Sequence, residues 1–429
     1  MEFTLLLLSS VLCISASLIA LKKRAIAFSI FIVFFVALTH IQGFYILNDL
    51  EFADHTTFLH TYITEQGFFW SCIYLFVVSM FLFLLAVSSK YIRTIHTQPL
   101  YIFCPSKLFY VFTLGFQLIC SYLLIFVLVG IDQFIEQSRP GLISGTSILL
   151  ILSSVGIFPI IIRLLLNQKP QKVDYICFII TIITTLFFSR IHAIVYAIAV
   201  SISYYYGGDV HKITSTIKFA LKASVIFGLS LLLFVAIGAL RDALNYTSFD
   251  NIFSFLTENP EDVSLLSIER NYRISIEGMS GLASAMSTYF DEHLEVPFGA
   301  GLDWIFAGML QAIPGSLKIY TSNVNEFLAP LNWHNLTIVT PGLETSFVSF
   351  FVFGPFIFCS LFYFITWQRS KFIINQRQHP FNRLLMVTFV ANGVFFVRGA
   401  WVHWLGFLVA YFIVLMMLRP LVKSFCKRI

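Results

Sequence analysis

The amino-acid sequence predicts an all-α polytopic membrane protein with about 11 transmembrane helices (11 or 12) and one large external loop between spans 8 and 9. Of its 429 residues, 58% are hydrophobic and only 11% are charged, and the mean hydropathy is +0.85. A soluble domain has about 25% charged residues, so this composition excludes a cytosolic enzyme, a nucleic-acid-binding protein and a disordered chain. The apolar residues form long unbroken runs, whereas a transmembrane β-barrel shows short alternating segments.

Eleven runs predict the spans, because a helix needs about 20 apolar residues to cross the hydrocarbon layer. Two apolar stretches, 173–206 and 384–418, are too long for one crossing and contain one arginine each. We therefore expect two helical hairpins with Arg190 and Arg398 at their bends. The predicted spans are 3–21, 25–47, 67–89, 108–131, 141–162, 173–189, 191–206, 223–240, 345–367, 384–397 and 399–418.

The basic residues predict the orientation of these spans. If the N-terminus is external, the cytoplasmic segments hold 20 of the 27 Lys and Arg residues. With Asp174 at the start of span 173–189 included, the cytoplasmic side has only two of the 22 acidic residues, Asp174 and Asp209. Positive charge concentrates on the cytoplasmic side of membrane proteins. The sequence thus predicts an external N-terminus and a cytoplasmic C-terminus. The cytoplasmic segments are 22–24, 90–107, 163–172, 207–222, 368–383 and 419–429.

The spans divide the chain into residues 1–240 with spans 1 to 8, the external loop 241–344, and residues 345–429 with spans 9 to 11. A loop as long as 241–344 is commonly functional. It contains no cysteine, so we expect no disulfide framework there. The sequence also lacks metal-binding, nucleotide-binding and hydrolase motifs, so no metal and no cofactor is expected.

Arginine predominates among the seven basic residues on the predicted external side, where positive charge opposes membrane insertion. Arg190, Arg241 and Arg398 fall at the outer ends of spans, where planar guanidinium groups suit a lipid-linked diphosphate. For Arg241, a helix end paired with Asp242 is an equally good interpretation. The seven residues are Arg139, Arg190, Arg241, Arg270, Arg273, Lys318 and Arg398.

Two stretches of the long loop carry further candidate residues. Residues 267–281 read as a polar helix in which Arg270, Arg273 and Glu277 share one face. This helix either binds an anionic substrate, with its glycines admitting a sugar, or is an ordinary surface helix. Nearer span 9, His334 and Glu344 are candidate general bases. External aromatic residues could stack on sugar rings or anchor at the membrane surface, and they are Trp304, Trp333, Tyr289 and Tyr320.

Four features resemble the Wzy-type oligosaccharide repeat-unit polymerases of bacteria, which make O-antigen and capsule, and their relatives the O-antigen ligases. Ser189-Arg190 resembles the Ser-Arg step of that family between two spans. Arg270 and Gly281 have the R-x10-G spacing of its periplasmic loops. His334-Asn335 resembles a pair in the ligases. The stretch from Glu344 to Gly354 resembles the motif leading into the following span, with Arg398-Gly399 as the late arginine. The sequence departs from the family pattern after Arg190. The R-x10-G spacing counted from this arginine would require a glycine at position 201, which is Ser201.

This resemblance implies an inner-membrane glycosyltransferase without cofactors. It would join undecaprenyl-diphosphate-linked repeat units at the periplasmic face, among membrane lipids, with a chain-length regulator protein as an open further partner and no nucleic acid. The rival interpretations are an O-antigen ligase and a transporter or flippase of lipid-linked oligosaccharides. The implied roles are diphosphate binding by Arg190, Arg241, Arg270, Arg273 and Arg398, proton abstraction by His334 or Glu344, and glycan binding by Glu277, Gly281, Trp333 and Asn335.

Overall fold

The computed structural model describes residues 1–48, 63–92, 101–123, 146–188, 190–207, 278–291, 342–375, 377–398 and 401–428. Of these residues 87% are helical. The helices are α1 Glu2–Lys22, α2 Ile26–Asn48, α3 Glu65–Ser88, α4 Lys107–Tyr122, α5 Thr146–Leu152, α6 Phe158–Leu165, α7 Lys172–Phe188, α8 Arg190–Gly207, α9 Gly278–Asp291, α10 Gly342–Phe350, α11 Gly354–Tyr363, α12 Arg369–Ile374, α13 Pro380–Ala391, α14 Gly393–Arg398 and α15 Trp401–Phe425.

The predicted class, an all-α membrane protein, is confirmed. Within the described ranges, six helical segments are long and apolar enough to cross a membrane. Span 223–240 and most of the loop 241–344 lie outside the described residues, so the predicted count of 11 stays a prediction. The six segments are Glu2–Lys22, Ile26–Asn48, Glu65–Ser88, Gly342–Ile374, Pro380–Arg398 and Trp404–Phe425.

The first three helices pack together and define the two ends of the bundle. The ring of Phe3 lies 5.8 Å from that of Phe44, so α1 and α2 are antiparallel. We call the end with Glu2, Asn48 and Glu65 the upper end, which is the predicted external side. At the lower end the Lys23 ammonium group donates to three carbonyl oxygens that close α3, those of Ala86, Val87 and Ser89, at 2.5 to 2.9 Å.

The predicted span 345–367 lies within the candidate span Gly342–Ile374, and the helix is broken inside it at Phe351. The carbonyl oxygen of Ser346 lies only 2.5 Å from where a Cβ on Gly354 would stand. Residues eight apart in a straight helix are separated by about 12 Å, so α10 folds back against α11. Phe351, between them, has φ 48°, a left-handed conformation that breaks the helix. The Tyr74 hydroxyl is 2.8 Å from Ser346 Oγ and holds α10 against α3.

Beyond the break the chain runs down the bundle beside α2. Phe358 lies 5.7 Å from Phe35 and Phe362 lies 5.3 Å from Phe28, measured between ring centroids. A π-helical turn, Phe364–Gln368, joins α11 to α12. The helical segment continues to Ile374, seven residues beyond the predicted end of this span.

The lower end is closed by a small antiparallel sheet and a buried arginine. Strand β1 (Tyr101–Phe103) pairs with strand β2 (Cys426–Arg428), so the end of α15 is tied to the segment before α4. Arg383 is almost fully buried and donates to the carbonyl oxygens of Ile373 at 2.7 Å and Leu165 at 2.6 Å. These carbonyls end α12 and α6, so one side chain caps two helices.

Helix α9 comes from the predicted external loop, yet it packs inside the upper half of the bundle against α2 and α3. Residues 278–287 are buried. A Cβ on Gly278 would lie 2.6 Å from the Leu38 carbonyl oxygen, about 15 Å below Asn48 along α2. This corrects the interpretation of Gly278 to Gly281 as part of a surface helix. Its Gly, Ser and Ala side chains are small enough for close packing, which polarity alone does not indicate.

Candidate functional site

The bend at Arg398 lies beside the middle of α2. The ring of Phe396 stacks on Phe358 at 5.1 Å, and Phe358 in turn contacts Phe35. Arg398 ends α14 just beyond Phe396. Arg398 therefore lies about level with the middle of α2, and its expected position at headgroup level stays a prediction. Helix α14 ends before it reaches the upper ends of α2 and α3.

Helix α10 begins against this bend. A Cβ on Gly342 would overlap the carbonyl oxygen of Phe396 and lie 3.3 Å from that of Val397. Glycine is therefore required where the start of α10 meets the end of α14. The positive end of one helix dipole faces the negative end of another, an arrangement that stabilises both.

Glu344 lies in the first turn of α10, next to the bend. Its side chain is only 3% exposed, and it has an interaction partner in the structure. A carboxylate is favoured in the first turn of a helix by the partial positive charge there. Arg398 is partly buried and also has a partner. The structure thus brings two predicted site residues, Glu344 and Arg398, onto adjoining helix ends.

The second predicted bend lies at the same height. Arg190 is the first residue of α8, and α8 packs on α7 as a hairpin requires. The ring of His192, two residues after Arg190 in α8, lies 5.0 Å from Phe395 and 4.5 Å from Phe407. These contacts bring the start of α8 alongside the end of α14. Three helix ends that carry Arg190, Glu344 and Arg398 therefore converge in the middle of the bundle.

Aromatic rings surround this convergence. Trp401, which opens α15, stacks on Phe396 at 5.2 Å and lies 6.0 Å from Phe350 of α10. Tyr289 of α9 lies 5.9 Å from Phe347 and 4.7 Å from Phe351. Helix α9 is thus connected to α10 by ring contacts. Among the predicted sugar-stacking residues, Tyr289 is the one within the described ranges.

Most of the other predicted site residues lie outside the described residues. Gly281 is described, and it lies in the buried first turn of α9. Nothing in the structure tests its assignment to glycan binding. The predicted residues outside the described ranges are Arg241, Arg270, Arg273, Glu277, Trp333, His334 and Asn335.

A buried polar cluster joins α1, α2 and α3, and the sequence analysis did not identify it. Ser9 Oγ lies 2.6 Å from His40 Nε2 and 2.6 Å from Ser79 Oγ. Thr39 donates to the Phe35 carbonyl at 2.7 Å, so its Oγ1 accepts from His40 Nδ1 at 2.9 Å. His40 Nδ1 therefore donates to Thr39, and its Nε2 is hydrogen-bonded to Ser9. The available signal was a polar side chain inside an apolar run.

Comparisons of the sequence with protein-family models, with curated proteins and with solved structures give no match. The fold and the converging helix ends define a class: an all-α membrane protein with an arginine and a buried carboxyl group at helix ends inside the bundle.

Proposed function

We propose that this protein is a glycosyltransferase of the bacterial inner membrane that polymerises undecaprenyl-diphosphate-linked oligosaccharide repeat units. The observation that carries the proposal is the convergence of the helix ends that bear Arg190, Glu344 and Arg398. These residues are far apart in the sequence, and the sequence pattern alone predicts this chemistry for each of them. If each of the three residues only stabilised its own helix end, these helix ends would not need to lie close together.

The chemistry of the reaction suits these groups. Transfer of the growing glycan breaks a bond between a sugar and a diphosphate, and negative charge develops on the leaving group. An arginine at a helix end inside the bundle stabilises that charge more strongly than it would in water. A carboxylate at Glu344 is suited to accept the proton of the attacking sugar hydroxyl. The donor arrives activated, so no nucleotide is required.

The test uses purified protein in liposomes with synthetic undecaprenyl-diphosphate-linked repeat units, and the products are sized on a gel. We expect a ladder of polymer on the lipid carrier from the unchanged protein. Arg398→Ala should abolish the ladder. Arg377→Ala is the matched control, because Arg377 is exposed in the turn before α13 and should leave the ladder unchanged.

The outcome that overturns the proposal is the absence of transfer by unchanged protein with a matched repeat unit. Transfer of glycan to a lipid A acceptor, without polymer on the carrier, would instead identify an O-antigen ligase. In cells, Arg270→Ala should leave single capped repeats at a matched protein level. Normal long chains in that variant would exclude Arg270 from the site.

A second candidate, transport of lipid-linked oligosaccharides, is favoured by one observation. Helices α9 and α10 begin inside the bundle, near Leu38 and Phe396, and α10 folds back at Phe351. Transporters use interrupted helices whose ends meet at mid-membrane. Proteoliposomes with fluorescent lipid-linked sugar separate the two functions. Translocation without any change in glycan length would favour the transporter.

A further inference from the structure

Helix α2 supplies the cap for the start of α9, through the side chain of Gln42. The Gln42 side-chain oxygen accepts hydrogen bonds from the backbone nitrogens of Met279 at 2.7 Å and Ser280 at 3.1 Å. The Gln42 amide nitrogen donates to Ser280 Oγ at 3.1 Å. Gln42 is 2% exposed. The capping group is thus contributed by a residue more than 200 positions away in the sequence.

This cap matters because of where α9 begins. The first backbone N–H groups of any helix have no partner within the helix. Gln42 lies about 9 Å below Asn48 along α2, in an apolar part of the bundle. An unpaired N–H group in such surroundings is strongly unfavourable. The Gln42 oxygen satisfies two of these groups at once and so fixes how deep α9 begins.

The other end of α9 rests on α3. The backbone nitrogen of Thr64 donates to Ser287 Oγ at 2.8 Å, and Ser71 Oγ donates to the Met286 sulfur at 3.3 Å. A Cβ on Gly67 would overlap Ser287, so α9 and α3 are in direct contact there. Gln42 holds the first turn of α9, and α3 contacts its other end. Both sets of contacts can form together at only one height and one rotation of α9 in the bundle.

Helix α9 in turn supports α10. Tyr289 packs on Phe347 and Phe351, one turn after Glu344 and at the break before α11. A shift of α9 therefore shifts the aromatic support of the helix that bears Glu344.

We propose that Gln42 is a positioning residue of the site: it holds α9, and through Tyr289 it sets the position of α10 and Glu344. This inference rests on the proposed function for its catalytic consequence. Its structural part, that Gln42 determines the position of α9, can be measured without any activity.

Turnover of lipid-linked repeat units is measured in Gln42→Leu, Gln42→Glu and, as the matched control, Gln117→Leu. Gln117 is also fully buried and donates to Thr181 at 3.0 Å between two other helices. We expect Gln42→Leu to lower kcat about 10-fold or more with little change in KM, because the first turn of α9 loses the two hydrogen bonds that hold it. Gln42→Glu keeps the accepting oxygen and should stay within about 3-fold. Gln117→Leu should leave kcat unchanged.

The position of α9 is measured separately by cross-linking. The cross-linking variant carries Ser71→Cys and Met286→Cys together with Cys72→Ala. A short bis-thiosulfonate should join the two introduced thiols. Gln42→Leu should lower the yield, and forming the cross-link in that variant should restore its turnover. Full turnover in Gln42→Leu, or no recovery on cross-linking, overturns the proposal. If the unchanged protein transfers no glycan, the proposed function fails, and the cross-link yield alone then decides whether Gln42 positions α9.

Discussion

Arg163 of α6 and Asp174 of α7 form a buried ion pair, with Nε and Oδ2 2.8 Å apart and side chains 8% and 0% exposed. The carboxylate also accepts from the Tyr110 hydroxyl at 2.6 Å and from the backbone nitrogen of Gln171 at 2.6 Å. Three segments of the lower end therefore meet at one carboxylate. A charge buried this deeply is tolerated because each of its oxygens has a donor.

Asp174→Asn should destabilise the protein by about 3 kcal/mol, because it leaves the Arg163 guanidinium buried without a counter-charge. Thermal unfolding in detergent, followed by circular dichroism, measures the loss. The double variant Arg163→Met with Asp174→Leu removes both charges and should recover most of the stability. If the double variant is as unstable as Asp174→Asn, packing rather than the unpaired charge is responsible.

Arg383→Lys should destabilise the lower end by about 2 kcal/mol, although the positive charge is kept. The guanidinium group donates to Ile373 and Leu165 from two different nitrogens, and a lysine ammonium cannot span both carbonyls in the same geometry. The midpoint of thermal unfolding reports the change. Arg377→Lys, at an exposed position, should have no effect. An equal shift in the two variants would contradict the capping role.

His379 should make the stability of the lower end depend on pH. Its Nδ1 accepts from the backbone nitrogen of Phe381 at 3.1 Å and so caps α13. Burial, and then the charges of Lys423 and Arg419, hold the pKa of His379 below its ordinary value of 6.5. The unfolded chain therefore binds the proton more readily than the folded one, and stability falls as the pH drops below about 6.5.

His379→Asn keeps a capping oxygen but removes the titrating group. The unfolding midpoint of the unchanged protein should fall more between about pH 7.5 and pH 5 than that of His379→Asn. The difference between the two slopes isolates His379 from the other titrating groups. Parallel slopes would show that protonation of His379 does not weaken the cap.

The sequence predicted the first three spans closely because their apolar runs are continuous. The predicted run 25–47 and the observed helix Ile26–Asn48 differ by one residue at each end. The two arginine bends were also predicted, since one charge within a long apolar run favours a turn. The break at Phe351 could not be seen, because Phe, Val and Gly around it are as apolar as the helices that they join.

The sequence also could not predict the height of the candidate site relative to the ends of α2. Hydropathy gives the length of a span but not where a neighbouring helix turns, so Arg398 was expected at the upper end. Helix α9 is so short and so rich in serine that its hydropathy does not predict a buried helix. Its position depends on the fit of Gly67 against Ser287 and on the Gln42 cap, and these contacts exist only once the helices are packed.

Gly342→Ala should lower activity at least 10-fold without unfolding the protein, because the added methyl group would overlap the Phe396 carbonyl oxygen and push α10 away from the Arg398 bend. Alanine favours a helix over glycine by about 1 kcal/mol, so a loss cannot come from weaker helix propensity.

Gly115→Ala is the matched control, since nothing lies within 4 Å of a Cβ there. It should keep full activity and gain slightly in unfolding midpoint. Glycosyl transfer and thermal unfolding are measured on the same preparations. Full activity in Gly342→Ala would show that close contact between α10 and α14 is not needed for the reaction, and the assignment of Glu344 as the base would lose its support.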